Sequence, residues 1–220
     1  YIRFYRNNGQ IESSGSAYEI STPYLTAELF DIKFAQSADV MYITHPNHQT
    51  RKLSRTGHTS WSLDAVEFTN GPFLDTNVST TTLTPASAGV GTGVNVTASA
   101  VTGINSGSGF LTTDVGRQIR IGDGYGIITA RTNTTVVVVT VTTAFANANA
   151  NTDWSLGAFS TTTGFPSCVS FFEQRLVFAA SINNPQTVYF SKSGDYENMD
   201  ANIGGTVADD DAIIYTIASN

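Results

Sequence analysis

The chain has 220 residues, enough for one large or two modest domains with a buried core. Its net charge is −7, only 13% of its residues are charged, and the single cysteine, Cys168, excludes an intrachain disulfide framework. Arg51, Lys52 and Arg55 stand close together but are too few to neutralise the phosphates of a tightly held nucleic acid.

Thr, Ser, Asn and Gly take the place of the missing charges, and β-branched residues are abundant. That composition favours strands and turns over helices, so the expected fold class is all-β. No apolar run reaches the roughly 18 residues of a membrane span. The chain starts at Tyr1 inside a strand pattern and stops on "AIIYTIASN", and is read as a piece of a longer protein.

Residues 1–12 read as a hairpin, with Ile2 and Phe4 alternating about Arg3 and Asn8-Gly9 supplying the turn. Residues 16–35 hold a turn at Pro23 and one short helical turn. A strand–loop–strand–Gly unit follows from Asp39, closed by "SWSLDAVEF", in which Trp61, Leu63 and Ala65 alternate. From Asn77 to Gly157 the composition shifts to Thr, Val, Gly, Ala and Asn. Within that span "RQIRIGDGYGIITAR" reads as a hairpin turning at Gly122-Asp123-Gly124, and Val136 to Val141 as a strand buried on most sides. The span is expected to be a small β-barrel or sandwich. "TSWSL" (Thr59 to Leu63) is echoed by "TDWSL" (Thr152 to Leu156), which suggests that the chain leaves and rejoins its host at equivalent strand edges.

Residues 158–220 return to aromatic-rich strands. Here the unit that began at Asp39 recurs. An ungapped shift of 137 positions matches Val40 to Val177, Asn47 to Asn184, Gln49-Thr50 to Gln186-Thr187, Ser54 to Ser191 and Gly57 to Gly194. A supersecondary unit that occurs twice is an architectural signal. The expected organisation is therefore a host β region in two parts, 1–76 and 158–220, interrupted by an inserted domain, 77–157.

Candidate chemistry is sparse. Cys168 with His45, His48 or His58 could form a thiol–base pair, but the thiol reads as a buried side chain beside Phe171 and Phe172. In "HPNH" the two histidines stand three apart in a loop and need a further metal ligand from elsewhere. "GDGYG" lies between two strands, where a phosphate loop would have to open a helix. Asp209, Asp210 and Asp211 lack the ligand spacing of a Ca²⁺ loop. Glu173, Asp195 and Glu197 form no carboxylate pair that sequence can place. No catalytic residue, cofactor or metal ligand is assigned, and the chain is not expected to be an enzyme.

"YEISTPYLTAELFDIKFAQSADVMYITHPNHQTRKLSR" and, beyond the insert, "FPSCVSFFEQRLVFAASINNPQTVYFSKSGDYENM" resemble a family of phage and prophage tail proteins. That family is similar to the tubular tail or nozzle proteins of short-tailed, podovirus-like phages. The resemblance implies ring-forming subunits built around a β-propeller, through which DNA leaves the capsid. The insert resembles the small FCCH-like β-domain on "GFLTTDVGRQIRI", "GIITARTNTTVVVVTV" and "DWSLGAF", a likeness of fold that carries no chemistry. Less the insert, the two copies lie about 56 residues apart, a reasonable length for one blade.

The expected function is thus a structural phage tail component that self-assembles into a ring. Its partners would be further copies, other tail proteins and DNA in transit, and its location the virion after assembly in the bacterial cytoplasm. Residues 158–220 carry two basic against seven acidic groups, and the loop of Asp209, Asp210 and Asp211 is expected to face the lumen. The alternative is a carbohydrate-recognition module using Trp61, Trp154, Tyr189 or Tyr196 as sugar platforms.

Overall fold

A computed structural model describes residues 1–217. The chain is all-β, its strand pairs antiparallel throughout. Among the described residues no helix is long and apolar enough to cross a membrane.

The N-terminal segment is a ribbon of six two-residue strands: β1 Ile2–Arg3, β2 Tyr5–Arg6, β3 Gly9–Gln10, β4 Glu12–Ser13, β5 Ser16–Ala17 and β6 Glu19–Ile20. β2 pairs with β3, β4 with β5, and β1 closes on β6. The first hairpin turns on Asn7-Asn8 (φ 49° and 62°), one residue earlier than the Asn8-Gly9 expected. Asn tolerates the left-handed region well enough to supply both turn positions, which leaves Gly9 free to pair with Arg6.

After the expected helical turn, a 3₁₀ segment at Thr26–Asp31, comes a four-stranded meander. Its strands, β7 Lys33–Ser37, β8 Val40–His45, β9 His48–Gly57 and β10 Ser60–Ala65, lie in the order β10-β9-β8-β7. Side-chain alternation gives this sheet two apolar faces. Met41, Ile43, Leu53 and Leu63 cover the N-terminal ribbon, where Phe4 stacks on Trp61 at 4.1 Å. Val40 and Tyr42 point the other way, into an aromatic cluster with Phe171, Phe178 and Tyr189.

That cluster is shared with the second meander, β17 Pro166–Phe172, β18 Arg175–Ser181, β19 Thr187–Phe190 and β20 Ile213–Thr216, paired in that order. β17 lies against β7 and β8, so the two meanders meet face to face. The sequence repeat is thus a repeat of structure. β8 and β18 are equivalent, as are β9 and β19. The match is imperfect in instructive ways. Val40 pairs with Ser54, but its counterpart Val177 pairs with Phe190 rather than Ser191. A bulge between Ile43 and His45 absorbs this one-residue difference. The preceding turns are offset too, with Ser37 opposite Val40 but Phe172 opposite Arg175. The fourth strand of the second copy is delayed by the loop 191–212.

Between the meanders, β11 Leu83–Pro85, β12 Gly91–Ala98, β13 Gln118–Ile121, β14 Gly124–Arg131, β15 Val136–Thr143 and β16 Trp154–Leu156 form one curled six-stranded sheet, ordered β11-β12-β15-β14-β13-β16. It has its own core, in which Val137, Val139 and Val141 of β15 are buried with Ile119, Ile128 and Phe110. The Gly122-Asp123 turn falls where the sequence places it, with Ile121 opposite Gly124. Gly126 is required: a Cβ there would collide with the Thr140 carbonyl and stand 3.0 Å from Val141 Cα.

The echo of "TSWSL" in "TDWSL" has no structural counterpart. Trp61 sits half-buried on β10, whereas Trp154 is in the core of the six-stranded sheet and donates its indole N–H to the Thr81 carbonyl at 2.9 Å. A shared strand pattern specifies alternation but not the sheet it joins.

Two chain segments run side by side where this sheet meets the meanders. Phe73 bridges Gly157, Leu74 N–H donates to the Leu156 carbonyl and Asn77 N–H to that of Trp154. Arg117 and Asp114 secure the same junction from within, paired at 2.9 Å and almost wholly buried. Arg117 Nε donates to the Gly157 carbonyl, and Thr162 Oγ1 donates to Asp114 Oδ1 at 2.7 Å.

Candidate functional site

Two features of the surface and loops merit attention: the outer face of the second meander and a cluster of histidines at the tip of the first.

The outer face follows from strand alternation. Leu176, Phe178, Tyr189 and Ile214 point into the aromatic cluster, so their neighbours point away from it. Across the strands, Ser170, Val177, Phe190 and Ile213 form one row, and Cys168, Ala179, Val188 and Tyr215 the next. Phe172 extends the face, its ring edge-on to Phe190 at 6.5 Å. Phe172, Ile213 and Tyr215 are 58%, 45% and 62% exposed, unusual for large apolar groups grouped on one sheet. Cys168 is exposed here, contrary to expectation. Its sequence neighbours Val169 and Phe171 face inward, and period-two geometry puts Cys168 on the opposite side.

The acidic loop is more ordered than its sequence suggests. Arg175 is buried beneath it, with Nη1 donating to the carbonyls of Ser191 (2.7 Å) and Asp211 (2.6 Å) and Nη2 to that of Asp209 (2.6 Å). Asp209 and Asp210 are exposed; Asp211 is buried and its Oδ1 takes Lys192 Nζ at 2.7 Å. The Lys192 hydrogen bond, helped by the Ala208 N–H, holds the Asp211 carboxyl below its usual range, and Asp211 in turn raises Lys192. The three aspartates are thus one structural acid and two surface acids. Of the aromatic residues considered as sugar platforms, Trp154 and Tyr189 lie in the core and offer no ring face. Glu197 is occupied as well: Oε1 accepts the Tyr42 hydroxyl at 2.9 Å and Lys52 Nζ at 2.6 Å, tying the loop after β19 to β8 and β9.

The histidine cluster lies where the β8–β9 hairpin turns. Pro46-Asn47 make the two-residue loop, so His45 and His48 become a cross-strand pair with ring centroids 5.0 Å apart. The 3₁₀ segment folds over them and brings Glu28. Glu28 Oε2 caps the start of that segment by accepting the Leu25 N–H at 2.8 Å, and meets His48 Nε2 at 2.8 Å. The Leu25 N–H, then His48, hold the Glu28 carboxyl below its ordinary value. His45 is 1% exposed and its Nε2 has no hydrogen-bond partner among the described residues. Burial pushes its imidazole below the usual range. The Tyr24 ring meets His48 edge-on at 5.3 Å. Its own buried hydroxyl also lacks a partner among the described residues, and burial pushes it up to about 12.

One ligand-capable atom from each of Glu28, His45 and His48 lies within 4.8 Å of the other two. Sequence reasoning had the histidine pair but not Glu28, which only the tertiary fold places beside them. His58, the third histidine, lies elsewhere, near Arg6 and Arg55. Cys168 joins none of them.

No family model matches this chain, and neither does any curated protein.

Proposed function

We propose that this chain is a non-enzymatic structural component of a phage tail that self-associates into a ring for DNA passage. The observation that carries the reading is the apolar outer face of the second meander. The inner face of the same sheet already packs on an equivalent four-stranded meander. The outer face, with Phe172, Phe190, Ile213 and Tyr215, repeats the apolar surface that makes such a contact, as a face-to-face stack of β blades requires. A second copy of the chain is the occupant, because a ring needs each subunit to present a face to its neighbour. In this reading the six-stranded sheet projects as a decoration or a clamp between subunits. The acidic excess of residues 158–220, with Asp209 and Asp210 at the surface, lines the DNA path and repels the phosphates.

Analytical ultracentrifugation of the chain, with Phe172→Lys and Tyr215→Lys as variants, tests the association. Concentration-dependent assembly that both substitutions abolish, with an unchanged melting temperature, is the expected result. A monomer at the highest attainable concentration would overturn the proposal. Electron microscopy of the assembled species then looks for rings.

A further inference from the structure

We propose that Glu28, His45 and His48 bind one divalent cation of the Zn²⁺ class, which staples the 3₁₀ segment Thr26–Asp31 to the β8–β9 hairpin. The donor set is two imidazoles and one carboxylate, which suits Zn²⁺ and the neighbouring first-row divalent ions and leaves a fourth position for water.

The distances allow it. Zn–N and Zn–O bonds of about 2.0–2.2 Å place tetrahedral ligand atoms about 3.3 Å apart. The His48–Glu28 contact of 2.8 Å has to open by about 0.5 Å, the direction in which a cation displaces a hydrogen bond. The widest separation in the group, at most 4.8 Å, closes by no more than about 1.5 Å. One element of the set is a surface 3₁₀ turn and another a hairpin tip, and shifts of that size lie within reach of both.

The fold itself does not require these histidines. In the ungapped shift His45 and His48 fall on Ile182 and Pro185, which in the second copy lie in the five-residue connection 182–186 between β18 and β19 rather than in paired strands. That hairpin forms all the same, with Val177 and Ala179 of β18 paired to Phe190 and Val188 of β19. A buried imidazole with an unpaired nitrogen is a cost that the second copy avoids, so its presence in the first needs another reason. A metal ligand is such a reason, because coordination satisfies the buried Nε2 directly.

Binding moves protons within the rings. His45 Nδ1 accepts the Asn47 N–H at 3.1 Å, which keeps the ring proton on Nε2 in the metal-free chain. Coordination through Nε2 transfers that proton to Nδ1, which ends the bond from the Asn47 N–H and turns Nδ1–H into a donor that water at the hairpin tip must accept. Asn47 is exposed, so its N–H passes to water. His48 undergoes the same shift when its Nε2 exchanges Glu28 for the cation.

The experiment uses the whole chain, prepared without an affinity tag rich in histidine and freed of metal by dialysis against a chelator. Calorimetric titration with ZnCl₂ is expected to give one site per chain. Titration with CoCl₂ is expected to give the visible absorption of a four-coordinate nitrogen–oxygen site. Glu28→Gln, a nearly isosteric change at a part-exposed side chain, and His48→Gln, which keeps the backbone of the hairpin, should each weaken binding at least tenfold. His58→Ala should leave it unchanged. Absence of Zn²⁺ uptake, or uptake that survives both Glu28→Gln and His48→Gln, overturns the proposal.

Discussion

Asp114→Asn removes one charge and leaves the shape of the side chain almost intact, so its effect isolates the buried electrostatics of the junction. The native carboxylate accepts from Arg117 Nη1 (2.9 Å), Asn105 Nδ2 (2.7 Å), the Leu111 N–H (2.8 Å) and Thr162 Oγ1 (2.7 Å). An amide has one accepting oxygen, and its NH₂ would point at donors. Arg117, 1% exposed, would retain a charge with no counterion. Breaking a buried pair from one side costs about 3–5 kcal/mol, and the stranded donors place this case at the upper end. For a chain of this size that corresponds to a fall in melting temperature of about 10–20 °C. Urea unfolding followed by the fluorescence of Trp154, which is buried in the same sheet, measures it. The double variant Asp114→Leu with Arg117→Met should recover only part of the loss, since it removes the stranded charge but leaves Asn105 Nδ2, the Leu111 N–H and Thr162 Oγ1 without their acceptor. A loss below about 1 kcal/mol in the single variant would refute the assignment of this pair as the internal fastening of the junction.

Gly126→Ala forces β14 from β15 at the Thr140 carbonyl and should cost about 1–3 kcal/mol in urea unfolding. Glu197→Gln keeps an acceptor for Tyr42 but removes the partner of Lys52, with an expected loss of about 1–2 kcal/mol. Burial, then Glu197, raises the Tyr42 phenol, so the same variant should lower its ionisation point in a spectrophotometric titration. Asp211 titrates below its unfolded value, so its contribution is complete above that value and is lost as pH falls through the depressed one. Lys192 is raised, and its share is present below the unfolded lysine value and lost as pH rises through the folded one. In Asp211→Asn the urea midpoint should therefore fall less steeply below about pH 4 than in the parent chain.

Features fixed by local alternation and turn chemistry were readable in the sequence. The valine run of β15, the Gly122-Asp123 turn and the repeated module are of this kind, because each follows from period-two patterning or glycine geometry over a few residues. What sequence missed depends on which sheet a strand joins or on what meets across space. Cys168 sits among phenylalanines in the text and faces away from Phe171 in the fold. "TDWSL" reads like "TSWSL" but pairs with β13 instead of β9. Glu28 looks like an ordinary helix-capping acid, and only the fold of the 3₁₀ segment over the hairpin sets it against His48. The buried Arg117 gave no signal, since nothing in a sequence distinguishes an interior guanidinium from a solvated one.

The bridge between Phe73 and Gly157 means that residues 74–156 begin and end at the same place. To the two meanders, that long excursion is topologically no more than a tight turn. Its ends are held by its own fold, so the logarithmic loop-closure penalty of a long free connection does not fall on the rest of the chain. A compact module whose termini lie one hydrogen bond apart, or a short turn, could be spliced there at the loss of the bonds that Asp114, Arg117 and Gln118 make across the junction. The junction is a socket, open to exchange over evolution or at the bench.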